Sequence, residues 1–324
     1  MWKAAAFCLS VTLSVCATSC WADANAALAA SRHEVLLRYG IDPSSSIQSR
    51  LGDAPANVVK MFADSGMAKP TIHVLTDSER QKFSAALADL PPLHRRILSE
   101  HLRSVSFLDG LPNNALTSVV NPADEYKVFD LTIRAGALSE TVSQLVTQKE
   151  KTCFETAGSP LSVSIEAGSL DAIVYVLLHE TTHMVDRSLG LTPVPPTPDS
   201  VAATSFTVGI WDTRTKLSRR YDRKILEVIK YRMGGHVLMA NQAKTVYFEL
   251  SKTPFASLYA SSNWYDDLAE LVAWYHLTQK LSQPYRIEVR NGPNVIYAYE
   301  PMKSELVRSR MGQIERLLYA DGAS

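Results

Sequence analysis

The sequence predicts an α+β protein with two lobes and a cleft between them. In the first half, apolar and polar residues alternate as in strands at 126–133 and 161–166, between segments with helical periodicity. The second half is mostly helical by the same criterion. Its exception is a strong hairpin signal at 287–299, where two strand-like runs flank Asn291-Gly292. Mixed strands and helices followed by a mostly helical region are typical of the α+β class.

The composition is that of an ordinary globular protein. The chain has 324 residues, of which 46% are hydrophobic, so it can bury a large core in one or two domains. Lys and Arg together number 33, as do Asp and Glu together, and the formal net charge is zero. The balance gives no electrostatic footprint for nucleic acid, and we expect no nucleic-acid partner. Nothing in the sequence indicates an oligomeric state.

The N-terminal segment predicts export. Residues 1–22 combine a lysine, a short apolar run and a small-residue cleavage site after Ala22, as in a signal peptide. A lipid anchor on Cys20, which would attach the protein to a membrane, is the alternative. Both interpretations place the protein in the periplasm or outside the cell. Cys153 is the single cysteine outside the signal region, so we expect no internal disulfide and a buried structural thiol.

The remaining elements follow in chain order. The segments "VSFLDG" (105–110) and "LTSVV" (116–120) flank a turn and predict a hairpin. Helices are predicted at 76–90, 91–105, 138–154, 170–188, 218–233, 263–281 and 304–318. The proline-rich segment 191–200 cannot be helical. We therefore divide the mature chain into an N-terminal α/β lobe (23–190) and a mostly helical C-terminal lobe (191–324).

The segment "IVYVLLHETTHMVD" (173–186) places polar residues inside an apolar helix. His179 and His183 are four residues apart, which stacks both imidazoles on one helix face. H-E-x-x-H on a helix is a zinc-binding pattern in which the intervening glutamate acts as general base. Glu180 is rotated by about 100° from His179, so it does not bind the ion but reaches a water molecule beside it. The sequence therefore predicts Zn²⁺ as cofactor; two ordinary core histidines are the alternative.

A third ligand is expected from another segment, since catalytic zinc sites have three protein ligands. The helix predicted at 263–281 has an apolar face, and Asp266 and Glu270 lie one turn apart on the opposite side. A metal ion and a hydrogen-bonded histidine would satisfy these two carboxylates. Alternatively, Asp266 only stabilises the first helical turn and Glu270 faces solvent.

Together the two segments resemble the gluzincin clan of zinc metallopeptidases, and in particular the lethal-factor type of catalytic domain. That type has an H-E-x-x-H-x-V-D stretch, here "HETTHMVD" (179–186). Further on it has a tyrosine and, seven residues later, an acidic-x-x-Ala-Glu segment. Here "LYASSNWYDDLAE" (258–270) supplies Tyr259, Asp266 and Glu270 at those positions. The resemblance is confined to these two blocks.

The resemblance implies a role for each matched residue and a zincin-like, two-lobed fold, in which a small mixed sheet accompanies the active-site helix. His179, His183 and the residue now at position 266 would bind zinc. Glu180 would be the general base. Glu270 would accept a hydrogen bond from a ligand histidine, and Tyr259 would donate to the oxyanion of the tetrahedral intermediate.

This chain differs from the usual pattern of the clan at the third ligand. The clan usually has glutamate where this chain has Asp266, which is one methylene shorter. We keep Asp266 as the expected ligand and Glu270 as the alternative. Tyr265 is the alternative to Tyr259 for the oxyanion role. The 83 residues from His183 to Asp266 (266 − 183) indicate an insertion around the proline-rich segment.

The expected function is that of an exported zinc metallopeptidase, a hydrolase with a peptide or protein substrate. Two other functions remain open. The first is a non-catalytic envelope protein that uses zinc only structurally and binds a partner. It leaves Glu180 without a role, and the chain lacks the cysteine cluster that such sites often have. The second is hydrolysis of a non-protein amide, such as a cell-wall peptide cross-link. The sequence does not reveal cleavage specificity.

Overall fold

The computed structural model describes residues 29–64, 69–156, 158–192 and 204–319. The predicted signal peptide (1–22), with Cys20, lies outside the described residues, as does the proline-rich segment beyond its first two residues. Within the described part, no helix combines the length and apolar character needed to cross a membrane. Cys153 is buried with a free thiol, as expected.

The chain folds into an α+β structure with small sheets, which confirms the predicted class. The described helices are α1 (residues 29–39), α2 (Ala56–Asp64), α3 (Asp77–Ala88), α4 (Pro92–His101), α5 (Val142–Lys151), α6 (Ala172–Leu189), α7 (Lys224–Glu227), α8 (Ala243–Leu250), α9 (Trp264–Tyr275) and α10 (Glu305–Tyr319). The strands are β1 (Thr71–Ile72), β2 (Leu102–Asp109), β3 (Ala115–Val119), β4 (Phe129–Arg134), β5 (Phe154–Glu155), β6 (Leu161–Glu166), β7 (Leu238–Met239), β8 (Arg286–Asn291) and β9 (Asn294–Tyr299).

The largest sheet is mixed and has four strands in the order β1-β2-β4-β3. Strands β2 and β4 are parallel, whereas β1 pairs antiparallel with β2 and β3 pairs antiparallel with β4. Strand β4 is buried on both faces, since only Arg134 of its six residues is partly exposed. Strand β3 pairs with β4 alone among the described strands and so forms one edge of the sheet, beside α6.

The hairpin predicted for 105–120 is wrong. Both segments are strands, but β4 lies between them and pairs with each. The sequence around the turn gave no sign of this insertion, because the strand order depends on β4, the most completely buried of the three strands, taking the central position. The helix predicted for 91–105 is also too long, since it ends at His101 and β2 begins at the next residue.

A second sheet joins sequence segments from both predicted lobes. Strand β6 pairs antiparallel with β8, and β8 pairs with β9. The β8–β9 hairpin confirms the signal at 287–299; Gly292 adopts a φ of 55° in its turn, a left-handed conformation that glycine accepts without strain. The main hydrophobic core likewise extends from Leu75 to Leu318. The division at residue 190 stays a prediction.

The helix predicted for 218–233 is wrong over most of its length. Only α7 is helical there, while Leu226 and Ile229 are buried as the periodicity indicated. The backbone instead makes a bridge between Ile229 and His236, and the Arg232 guanidinium donates to the carbonyls of Thr215 and Ser261. These contacts with distant segments override the local helical pattern. Helix α8, which was not predicted, follows at Ala243–Leu250.

Helix α6 lies at the centre of the molecule, in contact with α3, α4, α5 and α9. Because neighbours surround it, its first eight residues are all buried, which accounts for the continuous apolar run before the histidines. It ends at Gly190, whose φ of 63° forms a left-handed C-cap. The predicted helix 170–188 is therefore confirmed to within two residues at its start.

Helix α10 is joined to α9 by a buried ion pair. The Arg310 guanidinium donates to both oxygens of Asp267 at 2.7 and 2.9 Å, and Trp211 Nε1 donates to Oδ2 at 2.9 Å. Asp267 is 1% exposed. Because α9 also supplies Asp266 and Glu270, this pair holds the helix that carries the predicted site.

Replacing Arg310 with Met should lower the free energy of unfolding by about 3–5 kcal/mol, because the buried Asp267 would lose its cation. Denaturant unfolding followed by circular dichroism measures this change. The exposed Arg308 on the same helix is the control; Arg308→Met should change the free energy by no more than about 0.5 kcal/mol. Equal effects of the two substitutions would contradict the role given to the buried pair.

Candidate metal centre

Helices α6 and α9 pack against each other and supply the three side chains of the candidate centre. His179 and His183 lie one turn apart on α6, and their Nε2 atoms are 3.2 Å apart. Asp266, in the first turn of α9, places Oδ1 at 3.5 Å from each of these nitrogens. His179 and Asp266 are buried, and His183 is half-buried. The three converging ligand atoms could hold a metal ion.

The start of α9 orients the Asp266 carboxylate. Asn263 is the N-cap, and its Oδ1 accepts hydrogen bonds from the backbone N–H groups of Tyr265 and Asp266. Its Nδ2 donates to Asp266 Oδ2 at 2.6 Å, and the Ser262 hydroxyl donates to the same oxygen at 3.1 Å. Since Oδ2 is held by these donors, Oδ1 is left to face the two imidazoles.

The charges at the centre are strongly coupled. Burial lowers the pKa of His179, but Asp266 and Glu270 outweigh it and raise that pKa to about 9. Burial acts in the opposite direction on Asp266, yet the two imidazoles hold the pKa of its carboxyl well below the usual range. The carboxylate is therefore ionised at neutral pH and favours a positive charge beside it.

Glu270 lies behind His179, on the side away from the three ligand atoms. Its Oε1 is 3.0 Å from His179 Nδ1 and also accepts a hydrogen bond from the Tyr175 hydroxyl. Its Oε2 accepts from the Ser257 hydroxyl at 2.6 Å and from Trp274 Nε1 at 3.0 Å. Burial raises the pKa of Glu270, but Lys149 and His179 outweigh it and bring that pKa to about 2. A carboxylate at this position fixes the orientation of the imidazole.

Glu180 lies on the cleft side of α6, where the edge strand β3 approaches. Its Oε2 accepts a hydrogen bond from the Thr117 hydroxyl at 2.8 Å. Thr117 belongs to β3, so the sheet edge and the glutamate are in direct contact.

Tyr259 lies beside His179 and lines the same cleft as Glu180. Its ring centroid is 5.7 Å from that of His179 and 5.1 Å from that of Tyr231. Burial raises the pKa of Tyr259, and the carboxylates of Asp266 and Glu180 raise it further. The hydroxyl therefore stays protonated at neutral pH and can donate a hydrogen bond. Tyr265, the alternative for this role, packs its ring against Trp264 instead.

A cleft of about 550 Å³ opens beside His179 and Glu180. The beginning of β3, helix α5 and the pair Tyr231 and Tyr259 line it. Its size is in the range of small-molecule and peptide sites, which span roughly 300–1,000 Å³. Of the three converging ligand residues, His179 is among those that line the cleft, so the groove reaches the candidate metal centre at His179.

The structure brings together the six site residues expected from the sequence, namely His179, Glu180, His183, Tyr259, Asp266 and Glu270. It also places beside them residues that the sequence did not indicate. Thr117, Tyr175 and Ser257 hydrogen-bond to Glu180 or Glu270 across long sequence separations. None of these residues lies in a recognisable motif, and only the packing of β3, α6 and α9 reveals their contacts.

Comparison with protein-family models, with curated proteins and with solved structures found no match for this chain.

Proposed function

We propose that this chain is a zinc-dependent peptidase whose metal ligands are His179, His183 and Asp266. The spacing of the ligand atoms carries the proposal. Atoms ~2.0–2.1 Å from a tetrahedral ion lie about 3.3–3.4 Å from one another. The three separations here are 3.2, 3.5 and 3.5 Å. Two imidazole nitrogens with one carboxylate oxygen also favour zinc over magnesium or calcium, which take oxygen ligands.

The position of Glu180 supports a hydrolase rather than an iron-dependent oxygenase, the other class of enzyme that uses two histidines and one carboxylate. Two histidines and one carboxylate also bind iron in non-haem oxygenases, whose sites keep several open positions. A glutamate beside a ligand histidine, facing the cleft and hydrogen-bonded to Thr117, has a direct role as the base of a hydrolase. Three protein ligands, with no cysteine among them in the described part of the chain, also fit a catalytic site better than a structural one.

Zinc, when bound, polarises a carbonyl oxygen and lowers the pKa of water to about 7. The chain's own residues supply the remaining steps of peptide hydrolysis. Glu180 takes a proton from the attacking water as its oxygen adds to the scissile carbonyl carbon. It then delivers that proton to the leaving nitrogen as the C–N bond breaks. The Thr117 hydroxyl orients the Glu180 carboxylate, and the Tyr259 hydroxyl donates to the developing oxyanion.

The edge strand β3 offers a means of aligning the substrate. An extended peptide that pairs with the edge of β3 that no described strand occupies would run past Glu180, because Thr117 of this strand contacts that glutamate. The walls of the cleft come from both sides of residue 190, with β3 and α5 before it and Tyr231 and Tyr259 after it. These two features support a zincin-like, two-lobed arrangement of the gluzincin kind as part of the proposal.

The proposal predicts metal-dependent cleavage of peptides. The purified protein, without its signal segment, is incubated with a mixture of synthetic peptides, and the products are identified by mass spectrometry. We expect cleavage to fall at least tenfold after treatment with 1,10-phenanthroline and to return when zinc is added. Cleavage that is unchanged after complete removal of the metal would contradict the mechanism. A zinc-loaded protein that cleaves no peptide would favour the structural zinc site instead.

A further inference from the structure

Two lysines line the cleft, and the proposed mechanism gives them no role. Lys149, in the last turn of α5, is half-buried, and Lys230 is exposed nearby. The Lys149 ammonium lies 3.2 Å from the centroid of the Tyr259 ring and 5.7 Å from that of Tyr231. Since the Tyr259 ring also lies against His179, this ammonium is one aromatic ring away from the candidate metal centre.

Unlike the arginine that lines the same cleft, these two lysines are not paired with a carboxylate among the described residues. Arg134 donates to both oxygens of Glu140, at 2.8 and 2.6 Å, so its charge is neutralised locally. Within the described ranges of the chain, no carboxylate lies at ion-pair distance from Lys149 or Lys230. The Tyr259 ring attracts the Lys149 ammonium through its π face. An ammonium group has three donors, however, and a ring face does not satisfy them as oxygen acceptors would.

A purely internal role for Lys149 is the competing explanation. Burial raises the pKa of the Glu150 carboxyl to about 7, and the charge of Lys149 opposes this rise. The same charge helps to bring the pKa of Glu270 down to about 2 against the effect of burial. Glu150 already has a partner in the Tyr247 hydroxyl, which donates to it at 2.5 Å, and Glu270 accepts hydrogen bonds from the three donors described above. To offset the negative charges of these carboxylates at long range, a positive charge only needs to be nearby. Such a role does not explain why the ammonium faces a groove that ends at the proposed catalytic residues.

We propose that Lys149, assisted by Lys230, binds a carboxylate of the substrate. This inference rests on the proposed peptidase activity. The substrate class is then a peptide with a carboxylate close to the scissile bond, either its C-terminal group or an Asp or Glu side chain. An anion in this half-buried cleft would complete the hydrogen bonding of Lys149, and its attraction to the lysine would be less screened than at an open surface. The rings of Tyr231 and Tyr259 would pack against the apolar part of the same residue.

The test compares three forms of one peptide that the wild-type protein cleaves. The first has a free C-terminus and its acidic side chains, the second is amidated at the C-terminus, and the third has Gln or Asn in place of each Glu or Asp. The variant is Lys149→Met, which keeps the length of the side chain and removes its charge. Lys151→Met is the matched control, because Lys151 lies on the same helix, is exposed and does not line the cleft.

We expect Lys149→Met to raise KM for the unmodified peptide about tenfold and to change kcat by less than about twofold, the size of effect expected for one charge-assisted hydrogen bond. The neutral form that lacks the recognised carboxylate should be cleaved equally by the variant and the wild type, which identifies the source of the carboxylate. Lys230→Met should act in the same direction with a smaller effect, and Lys151→Met should have none.

A binding measurement separates this inference from the proposed activity. Calorimetric titration of zinc-loaded Glu180→Gln protein with the same peptides should show tighter binding of the carboxylate form, and adding Lys149→Met should remove the difference. If Lys149→Met lowers kcat equally for all three peptides, the lysine acts only on the internal carboxylates and the inference is wrong. If the wild type cleaves peptides without any carboxylate preference, the inference fails while the peptidase proposal stands. If zinc-loaded protein neither binds nor cleaves any peptide, both fail.

Discussion

Replacing Glu180 with Gln should lower kcat for peptide hydrolysis by about 10²–10⁴-fold, the usual contribution of a positioned general base. The amide has nearly the shape of the carboxylate and can still accept the hydrogen bond from Thr117, but it cannot take a proton from water. Because Glu180 is not one of the three converging ligand residues, the variant should keep its metal. Initial rates of cleavage and zinc content are measured on the same preparation.

A matched control is available in Glu155, an exposed residue of β5 that is not among the residues lining the cleft. Glu155→Gln should cleave peptides as fast as the wild type. A Glu180→Gln protein that retains zinc and also retains wild-type activity would remove Glu180 from the mechanism. A variant that loses zinc together with activity would show instead that Glu180 helps to bind the metal.

Replacing Asp266 with Ala should weaken zinc binding more than any change at Glu270. Loss of a direct ligand leaves two imidazoles, whereas loss of an outer hydrogen-bond partner typically costs about 10–100-fold in metal affinity. Glu270→Gln is the suitable comparison because it keeps the volume of a side chain that accepts three buried hydrogen bonds and lies 3.0 Å from His179 Nδ1. Competition with a fluorescent zinc chelator gives the two dissociation constants. We expect the loss for Asp266→Ala to exceed about 100-fold.

If the two variants lost zinc affinity in the opposite order, the assignment of the ligands would be reversed. A larger loss for Glu270→Gln than for Asp266→Ala would mean that Glu270 reaches the metal, as in the alternative that the sequence left open. The distances argue against this order, since Glu270 contacts Nδ1 of His179 while the three ligand atoms converge at Nε2.

The shorter side chain at position 266 has a structural explanation. Helix α9 begins only two residues before Asp266, so the carboxylate is at the helix start, where Asn263 and Ser262 hold one of its oxygens. Direct packing of α9 on α6 brings the other oxygen to 3.5 Å from both imidazoles. The missing methylene is thus accommodated by the approach of the helix.

Local patterns in the sequence were sufficient for the elements that carry the site. The spacing of His179 and His183 gave the helix and its polar face, and Asn263 marked the N-cap of α9. Both signals are local, because helix periodicity and capping depend on residues within a few positions of each other.

Contacts between distant segments could not be predicted. The insertion of β4 between β2 and β3 depends on which strand is buried most deeply, and no turn motif records it. The segment 218–233 has helical periodicity, but the hydrogen bonds of Arg232 and His236 hold it in another conformation. Thr117 and Lys149 likewise reach the site only because the edge strand and α5 border the cleft.

The proposed hydrolysis depends on one divalent cation held between α6 and α9. A crystal structure of the purified protein, with diffraction data collected on both sides of the zinc absorption edge, tests this most directly. We predict one anomalous peak, bonded to His179 Nε2, His183 Nε2 and an oxygen of Asp266 at ~2.0–2.2 Å, with a fourth position open to the cleft. The absence of an ion from this position in zinc-saturated crystals would contradict the account, as would a fourth protein ligand that closes the site.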